Sequence, residues 1–176
     1  PPPAPAERVD RTVARNVIDG ALGSGRHLLN EVEAKTLLAA YGIETVPTMV
    51  AATPEEAGAC AAEVFAEGAE AAVAKILSPD ISHKSDVGGA RLNRASPDDV
   101  MRASAAMMSR AKELRPHARI DGVVVQKMVR RRGAYELILG LSADAVFGPV
   151  ILFGAGGTSV EVVADKALAL PPLDRM

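Results

Sequence analysis

The residues of this 176-residue chain most able to do chemistry lie together in Lys75-Ile-Leu-Ser-Pro-Asp-Ile-Ser-His83-Lys84-Ser-Asp86-Val-Gly88-Gly89. Within fifteen positions stand a lysine in an apolar run, a proline break, one of three histidines, a second lysine, an aspartate and a glycine pair. Lys75 alternates with Val73 and Leu77 as on one face of a strand, and an ammonium on an apolar face needs an anion or a route to water. A lysine whose stem lies along the sheet while its head reaches solvent fits the same spacing, and the pattern does not choose between the two. His83 lies among Gly, Ser and Asp rather than on an apolar helix face. A neutral imidazole near its reference pKa of about 6.5 is a competent nucleophile or proton carrier, although a plain surface-loop histidine is the commoner use of such a position. Gly88 and Gly89 offer backbone N–H groups that an anion can approach closely, or simply a tight turn into the next strand.

Several chemistries are excluded by spacing. Gly154-Ala-Gly156-Gly157-Thr158-Ser159 has Ser159 where a dinucleotide fingerprint needs its third glycine, and a Val-rich strand pattern follows instead of a helix. Lys84-Ser85 is preceded by His83 where a phosphate-binding P-loop requires glycine. His27, His83 and His117 are far apart and Cys60 is the one cysteine, so zinc spacing fails and no metal ligand is assigned in this chain. What remains is a nucleotide site without a Walker motif, built from Lys75, the loop at 82–89, the strand end Gln126-Lys127-Met128 and Glu136.

Composition narrows the classes further. A formal charge of −2 argues against a nucleic-acid surface. Arg130-Arg131-Arg132 is the one basic run, read as a solvated hairpin tip. Hydrophobic residues make up 48% and aromatics only 3%, which predicts helices packed on a sheet through small aliphatic side chains. No apolar run reaches the length of a membrane span, no signal-peptide layout opens the chain, and a lone cysteine fits a reducing compartment, so the expected location is the cytoplasm.

The elements that must position these residues are punctuated by caps. Pro1 to Ala6 reads as an extended linker, followed by a leading helix over 8–22 with a stripe of Val9, Val13, Val17 and Ala21. Asn30 with Glu33 three residues on predicts a capping box and a helix to Tyr41, with Val32, Leu37, Leu38 and Tyr41 as its apolar stripe. Thr45 to Ala51 reads as a strand; Thr53-Pro54-Glu55-Glu56 opens a helix to about Glu67, and Ala71 to Leu77 is a second strand. The order recurs as a strand at 90–93, a helix opened by Ser96-Pro97-Asp98-Asp99 and running to about Leu114, and a strand at 123–129. Val100, Ala103, Met107 and Leu114 are expected to face inward. The sum is βαβ followed by βαβ, an α/β (α+β) class with a split βαβ arrangement. His83 and the glycine pair fall between the two halves. Beyond it, 123–129 and 135–141 are expected to pair as a hairpin, and 150–153 with 159–163 to extend an antiparallel meander. The domain scheme is therefore a linker and leading helix at 1–28, a first subdomain at 29–129 and an incomplete second one at 130–176.

Four ordered segments then carry a resemblance: Lys75 to Gly89, Val123-Val-Val-Gln-Lys-Met-Val, Glu136-Leu-Ile-Leu-Gly, and Phe147-Gly-Pro-Val-Ile-Leu-Phe-Gly-Ala-Gly-Gly. Together, over about 29–176, they are similar to the ATP-grasp portion of NDP-forming (ADP-forming) acyl-CoA synthetases. The same arrangement also occurs in protein acetyltransferases with an acyl-CoA-synthetase-like region. The resemblance implies an ATP-grasp fold holding ATP or ADP with Mg²⁺ between the subdomains. By it Lys75 binds phosphate oxygens, Gln126, Lys127 and Met128 form the hinge that meets adenine, Glu136 contacts ribose or a polar edge, and His83 takes and passes on the phosphoryl group. CoA-binding and acyl-CoA-synthetase domains of the same parent or of a partner subunit are the implied partners. Family members carry metal ligands in an acidic motif beyond the point where this chain ends, so the fragment alone is expected to be inactive. A non-catalytic sensing module of a protein lysine acetyltransferase is the alternative, and an α/β interaction domain with an idle loop is the third reading.

Overall fold

The computed structural model describes residues 9–81, 83–131, 133–156 and 166–173. They divide into two compact units, Pro1–Val129 and Arg130–Met176, and each is taken by itself.

The first unit is built on a four-stranded sheet of β1 (Thr48–Ala51), β2 (Ala72–Leu77), β3 (Ala90–Arg94) and β4 (Gly122–Lys127), in the order β1-β4-β2-β3. All three pairings are antiparallel. Hence β1 and β2 run the same way with β4 between them, and β3 and β4 run the same way with β2 between them. This is the split βαβ arrangement, with the two units interleaved.

The crossovers are α3 (Pro54–Ala66) and α4 (Pro97–Leu114), and both start where the cap chemistry predicts. The Thr53 hydroxyl accepts from the Glu56 N–H at 3.2 Å and the Ser96 hydroxyl from the Asp99 N–H at 3.2 Å, each followed by a proline whose missing N–H costs nothing in a first turn. The crossovers pack on one face of the sheet. Ala72, Ala74 and Ile76 of β2 and Val123 and Val125 of β4 meet Ala57, Ala61 and Val64 of α3 and Val100, Met107 and Ala111 of α4 in a single aliphatic core. The inward stripe of α4 is Val100, Ser104, Met107 and Ala111, so Ser104 and Ala111 replace the expected Ala103 and Leu114. Leu114, the last residue of α4, is 46% exposed.

The opposite face of the same strands carries Val73, Lys75 and Leu77, with Val124 and Gln126 of β4 and Thr48 of β1 in register beside them. There the N-terminus of α2 (Glu31–Ala40) arrives. Its capping box is present: the Asn30 side chain accepts from the Glu33 N–H at 2.9 Å and Glu33 Oε2 accepts from the Asn30 N–H at 2.8 Å. The expected apolar stripe of α2 is not its buried side, since Leu38 and Tyr41 are exposed and only Ala40 is buried. α1 (Arg11–Gly23), capped by Asp10, buries Ala21 of its expected stripe together with Ala14, while Val9 and Val13 stay exposed. Both leading helices lie outside the main core, so tertiary contacts with small residues outweigh their apolar periodicity.

The second unit is an antiparallel three-stranded sheet, β5 (Leu137–Asp144), β6 (Gly148–Ala155) and β7 (Lys166–Ala169), in chain order. The expected hairpin between 123–129 and 135–141 does not form. Both edges of β4 are taken by β1 and β2, and β5 pairs with β6. Arg130 and Arg131 therefore follow the end of the first unit and are not the tip of a β4–β5 hairpin. Residues 166–169, read only as a lead into Pro171-Pro172, form β7; the strand expected over 159–163 and the linker over 1–6 lie outside the described residues.

Candidate functional site

β2 brings Lys75 to the α2 side of the sheet, and α2 supplies the carboxylate that meets it. Glu31 is the first residue of α2, so the helix start and its capping box fix where its carboxylate stands. Lys75 Nζ donates to Glu31 Oε1 at 2.7 Å and Lys84 Nζ donates to Glu31 Oε2 at 3.2 Å. Lys35, one turn along α2, approaches Oε1 at 3.5 Å. Three ammonium groups thus surround one carboxylate, leaving a formal excess of two positive charges. The Glu31 side chain is 14% exposed and those of the lysines 21–28%, so the cluster is half sheltered and still reachable from water.

The three lysines are not equivalent. An ammonium has three N–H donors. Those of Lys35 go to the Val46 carbonyl at 3.1 Å, to the Gln126 Oε1 at 2.6 Å and to the Thr48 hydroxyl. Lys75 and Lys84 have Glu31 alone as a side-chain partner among the described residues, so each keeps two donors for an incoming anion. Burial by itself pushes the Glu31 carboxyl up, and the hydrogen bonds and charges of Lys75 and Lys84 overcome it, holding the group below the ordinary value. Desolvation pushes the Lys35 ammonium down against the charge of Glu31.

Of the two readings of Lys75, the structure realises the one with an anion, and that anion is internal. Glu31, Lys35 and Thr48 were not among the residues singled out by sequence. An acid in a first helical turn satisfies the helix dipole, and a lysine four residues on is its ordinary surface partner, so neither residue type stands out. The signal available was a charged i,i+4 pair at the start of a capped helix.

His83 precedes a 3₁₀ turn, Lys84–Val87, that joins the two βαβ halves. Its side chain makes no capping bond and is exposed, bordering a hollow of about 190 Å³ with Asp80, Asp86 and Arg115. The glycine pair serves the turn. Gly88 has φ +62 and its N–H donates to the Ser85 carbonyl at 3.0 Å; the Gly89 N–H donates to the Lys84 carbonyl at 2.6 Å. A Cβ on Gly89 would stand 2.8 Å from Ile76 Cγ2, so close packing explains the second glycine. In this conformation both N–H groups are used within the turn, so of the two readings of the glycine pair the described conformation is the tight turn.

At the strand end, the Gln126 side chain accepts from Lys35, Lys127 is exposed, and the Met128 N–H donates to the Ala71 carbonyl at 2.8 Å. Met128 therefore has its carbonyl, not its N–H, to offer a base edge. Glu136 belongs to the second unit, where its side chain is exposed and its carbonyl accepts from the Gly156 N–H at 2.8 Å. Chemically the first unit presents a lysine-rich anion site beside a histidine-bearing turn. Among the described residues no group of three or more His, Cys, Asp or Glu could share a metal ion, and no helix is long and apolar enough to cross a membrane.

Residues 20–176 match the family described as ATP-grasp domain. The chain is 40% identical over 167 residues to acetate–CoA ligase (ADP-forming) I of Archaeoglobus fulgidus, covering 95% of this chain and 23% of that protein. It is 35% identical over 162 residues to the beta subunit of acetate–CoA ligase (ADP-forming) I of Pyrococcus furiosus, covering 92% of this chain and 67% of the subunit. Among solved structures it superposes on Ca. Korarchaeum cryptofilum dinucleotide-forming acetyl-coenzyme A synthetase 1 with coenzyme A and Ca-AMPCP, at TM-score 0.83 and 36% identity, over 92% of this chain and 68% of that one. A second structure of that enzyme, with coenzyme A and Mg-AMPPCP, is described with its phosphohistidine segment pointing towards the nucleotide binding site; it matches at TM-score 0.72 and 32% identity, over 92% of this chain and 65% of that one. The chain thus spans about two thirds of the Pyrococcus furiosus beta subunit and under a quarter of the Archaeoglobus fulgidus ligase.

Proposed function

This chain belongs to the ATP-grasp domain family, in the branch that includes ADP-forming acyl-CoA ligases, and on that premise we propose that it is the nucleotide-binding part of such a ligase. The whole reaction interconverts acyl-CoA, phosphate and ADP with a carboxylate, CoA and ATP through a phosphorylated histidine. The observation that carries this reading is the cluster of Lys35, Lys75 and Lys84 around the single carboxylate of Glu31. Its excess positive charge and four unused N–H donors suit the oxygens of a nucleotide phosphate, where phosphoryl transfer needs charge neutralisation and positioning most.

In this reading Lys75 and Lys84 hold phosphate oxygens, the Gln126–Lys127–Met128 strand end meets the adenine edge and Glu136 meets ribose. Gly88 and Gly89 turn their N–H groups to phosphate only when the 3₁₀ turn opens. His83 carries the phosphoryl group. A lone pair on an imidazole nitrogen forms the bond to the γ-phosphorus as the bond to the bridging oxygen breaks. That electron pair leaves on ADP, and the imidazolium so formed releases its N–H proton to water. The reverse step makes ATP.

Mg²⁺ accompanies the nucleotide by likeness to the Mg-AMPPCP complex, but the described residues offer no cluster for it and are assigned none of its ligands. CoA and the acyl group are handled by other domains of the same polypeptide or by a partner subunit, and the place of action is the cytoplasm. The relatives named above are ligases, so nothing in them favours the sensing module of an acetyltransferase.

The test is a calorimetric titration of the full-length protein with ADP·Mg²⁺. Lys75→Gln should weaken binding about tenfold to a hundredfold, the worth of one charge-assisted contact of ~1.5–3 kcal/mol. Unchanged affinity would overturn the assignment.

A further inference from the structure

Resting on the reading of Lys75 as a phosphate ligand and His83 as the phosphoryl carrier, we infer that Glu31 is a positioning residue that couples them. Its carboxylate holds Lys84, and with it the front of the turn beside His83, until a phosphate at Lys75 and Lys84 draws both lysines away.

The two oxygens of Glu31 are divided between the two elements concerned. Oε1 takes the Lys75 ammonium from β2 and Oε2 takes the Lys84 ammonium from the first residue of the 3₁₀ turn. Glu31 itself is held by the start of α2, so its carboxylate is the fixed point of the arrangement. The far end of the turn is anchored independently, by buried Val87 and by Gly89 packed under Ile76. The front end, where His83 makes no capping bond, is tied through the Lys84 side chain. Lys35 does not compete for this role, because its donors are taken by Val46, Thr48 and Gln126. Lys75 and Lys84 have no side-chain partner except Glu31 among the described residues. A phosphate of two or more negative charges therefore outcompetes one carboxylate for the same two ammonium groups. Occupancy of the anion site and freedom of the histidine segment then become a single linked equilibrium.

Amide hydrogen exchange at Gly88 and Gly89 in the full-length protein reads this tie directly, because their N–H groups close the turn. Glu31→Gln should raise exchange there about fivefold, the size of a sheltered ion pair of ~1 kcal/mol. ADP·Mg²⁺ should raise it similarly in the wild type and hardly at all in Glu31→Gln. Lys84→Gln should reproduce the effect, and the double variant should add nothing. Affinity for ADP in Glu31→Gln should tighten, by up to about fivefold, since the competing anion is removed and the coupling is reciprocal. Glu31→Asp, which keeps the charge, should restore the response to nucleotide. Unchanged exchange in both Glu31→Gln and Lys84→Gln would overturn the inference, as would an equal nucleotide response in wild type and variants. If Glu31→Gln fails to fold, Lys84→Gln alone decides, because its side chain is more exposed. Absence of label at His83 in the wild type would sink the carrier reading, while the exchange data would still decide on the tie.

Discussion

At the scale of single residues, the site is a charge problem solved by one glutamate. The ammonium groups of Lys75 and Lys84 favour ionised Glu31 more than burial disfavours it, so its folded value lies below the ordinary 4.5. The stability Glu31 contributes is therefore complete above that value and is lost as pH falls through the depressed folded one. Urea-unfolding midpoints of wild type and Glu31→Gln should differ by about 1 kcal/mol at neutral pH, and the difference should shrink as pH falls through the depressed folded value. A difference that does not change with pH across the acid range would assign it to shape and not to charge. Lys75 and His83 were legible in the sequence because their neighbourhoods contradict the usual use of those residue types, a charge in an apolar strand and an imidazole in a Gly/Ser/Asp loop. Glu31 was not, because an acid in a first helical turn is satisfied by the helix dipole alone, and only the fold shows that it faces two lysines 44 and 53 positions away.

At the scale of elements, helix starts were readable and strand partners were not. Asn30, Thr53 and Ser96 announce their helices through local hydrogen bonds. Pairing of β4 depends on which edges are open, which adjacency in sequence does not reveal; both edges are filled within the first unit. That central place constrains Gly122, the first residue of β4, whose φ is +128 and where a Cβ would lie 2.1 Å from the Ala51 carbonyl oxygen. Gly122→Ala should cost about 3 kcal/mol or more in chemical denaturation, through a backbone conformation that alanine avoids and a clash with β1. Ser104, fully buried on α4, leaves its hydroxyl without a hydrogen-bond partner among the described residues. Ser104→Ala should consequently raise stability by about 1 kcal/mol; a loss of that size would mean the hydroxyl has a partner after all.

At the scale of the whole molecule, an interleaved split βαβ unit carries the lysine cluster and the histidine turn, and a separate antiparallel sheet follows it. α2 and β2 supply Lys35 and Lys75, and the exposed turn supplies Lys84 and the adjoining His83, so the turn links the lysine cluster to the histidine. The fold class was readable because two cap-and-strand patterns repeat in order; the lysine cluster was not, because it is assembled from α2, β2 and the turn. The central claim is that this arrangement moves a phosphoryl group through His83. The most direct measurement is incubation of the full-length protein with ATP labelled at the γ-phosphate, followed by mapping of the acid-labile label by peptide sequencing. The account predicts label on His83 that is chased by ADP and lost in His83→Ala. Label that persists in His83→Ala at wild-type level would contradict it.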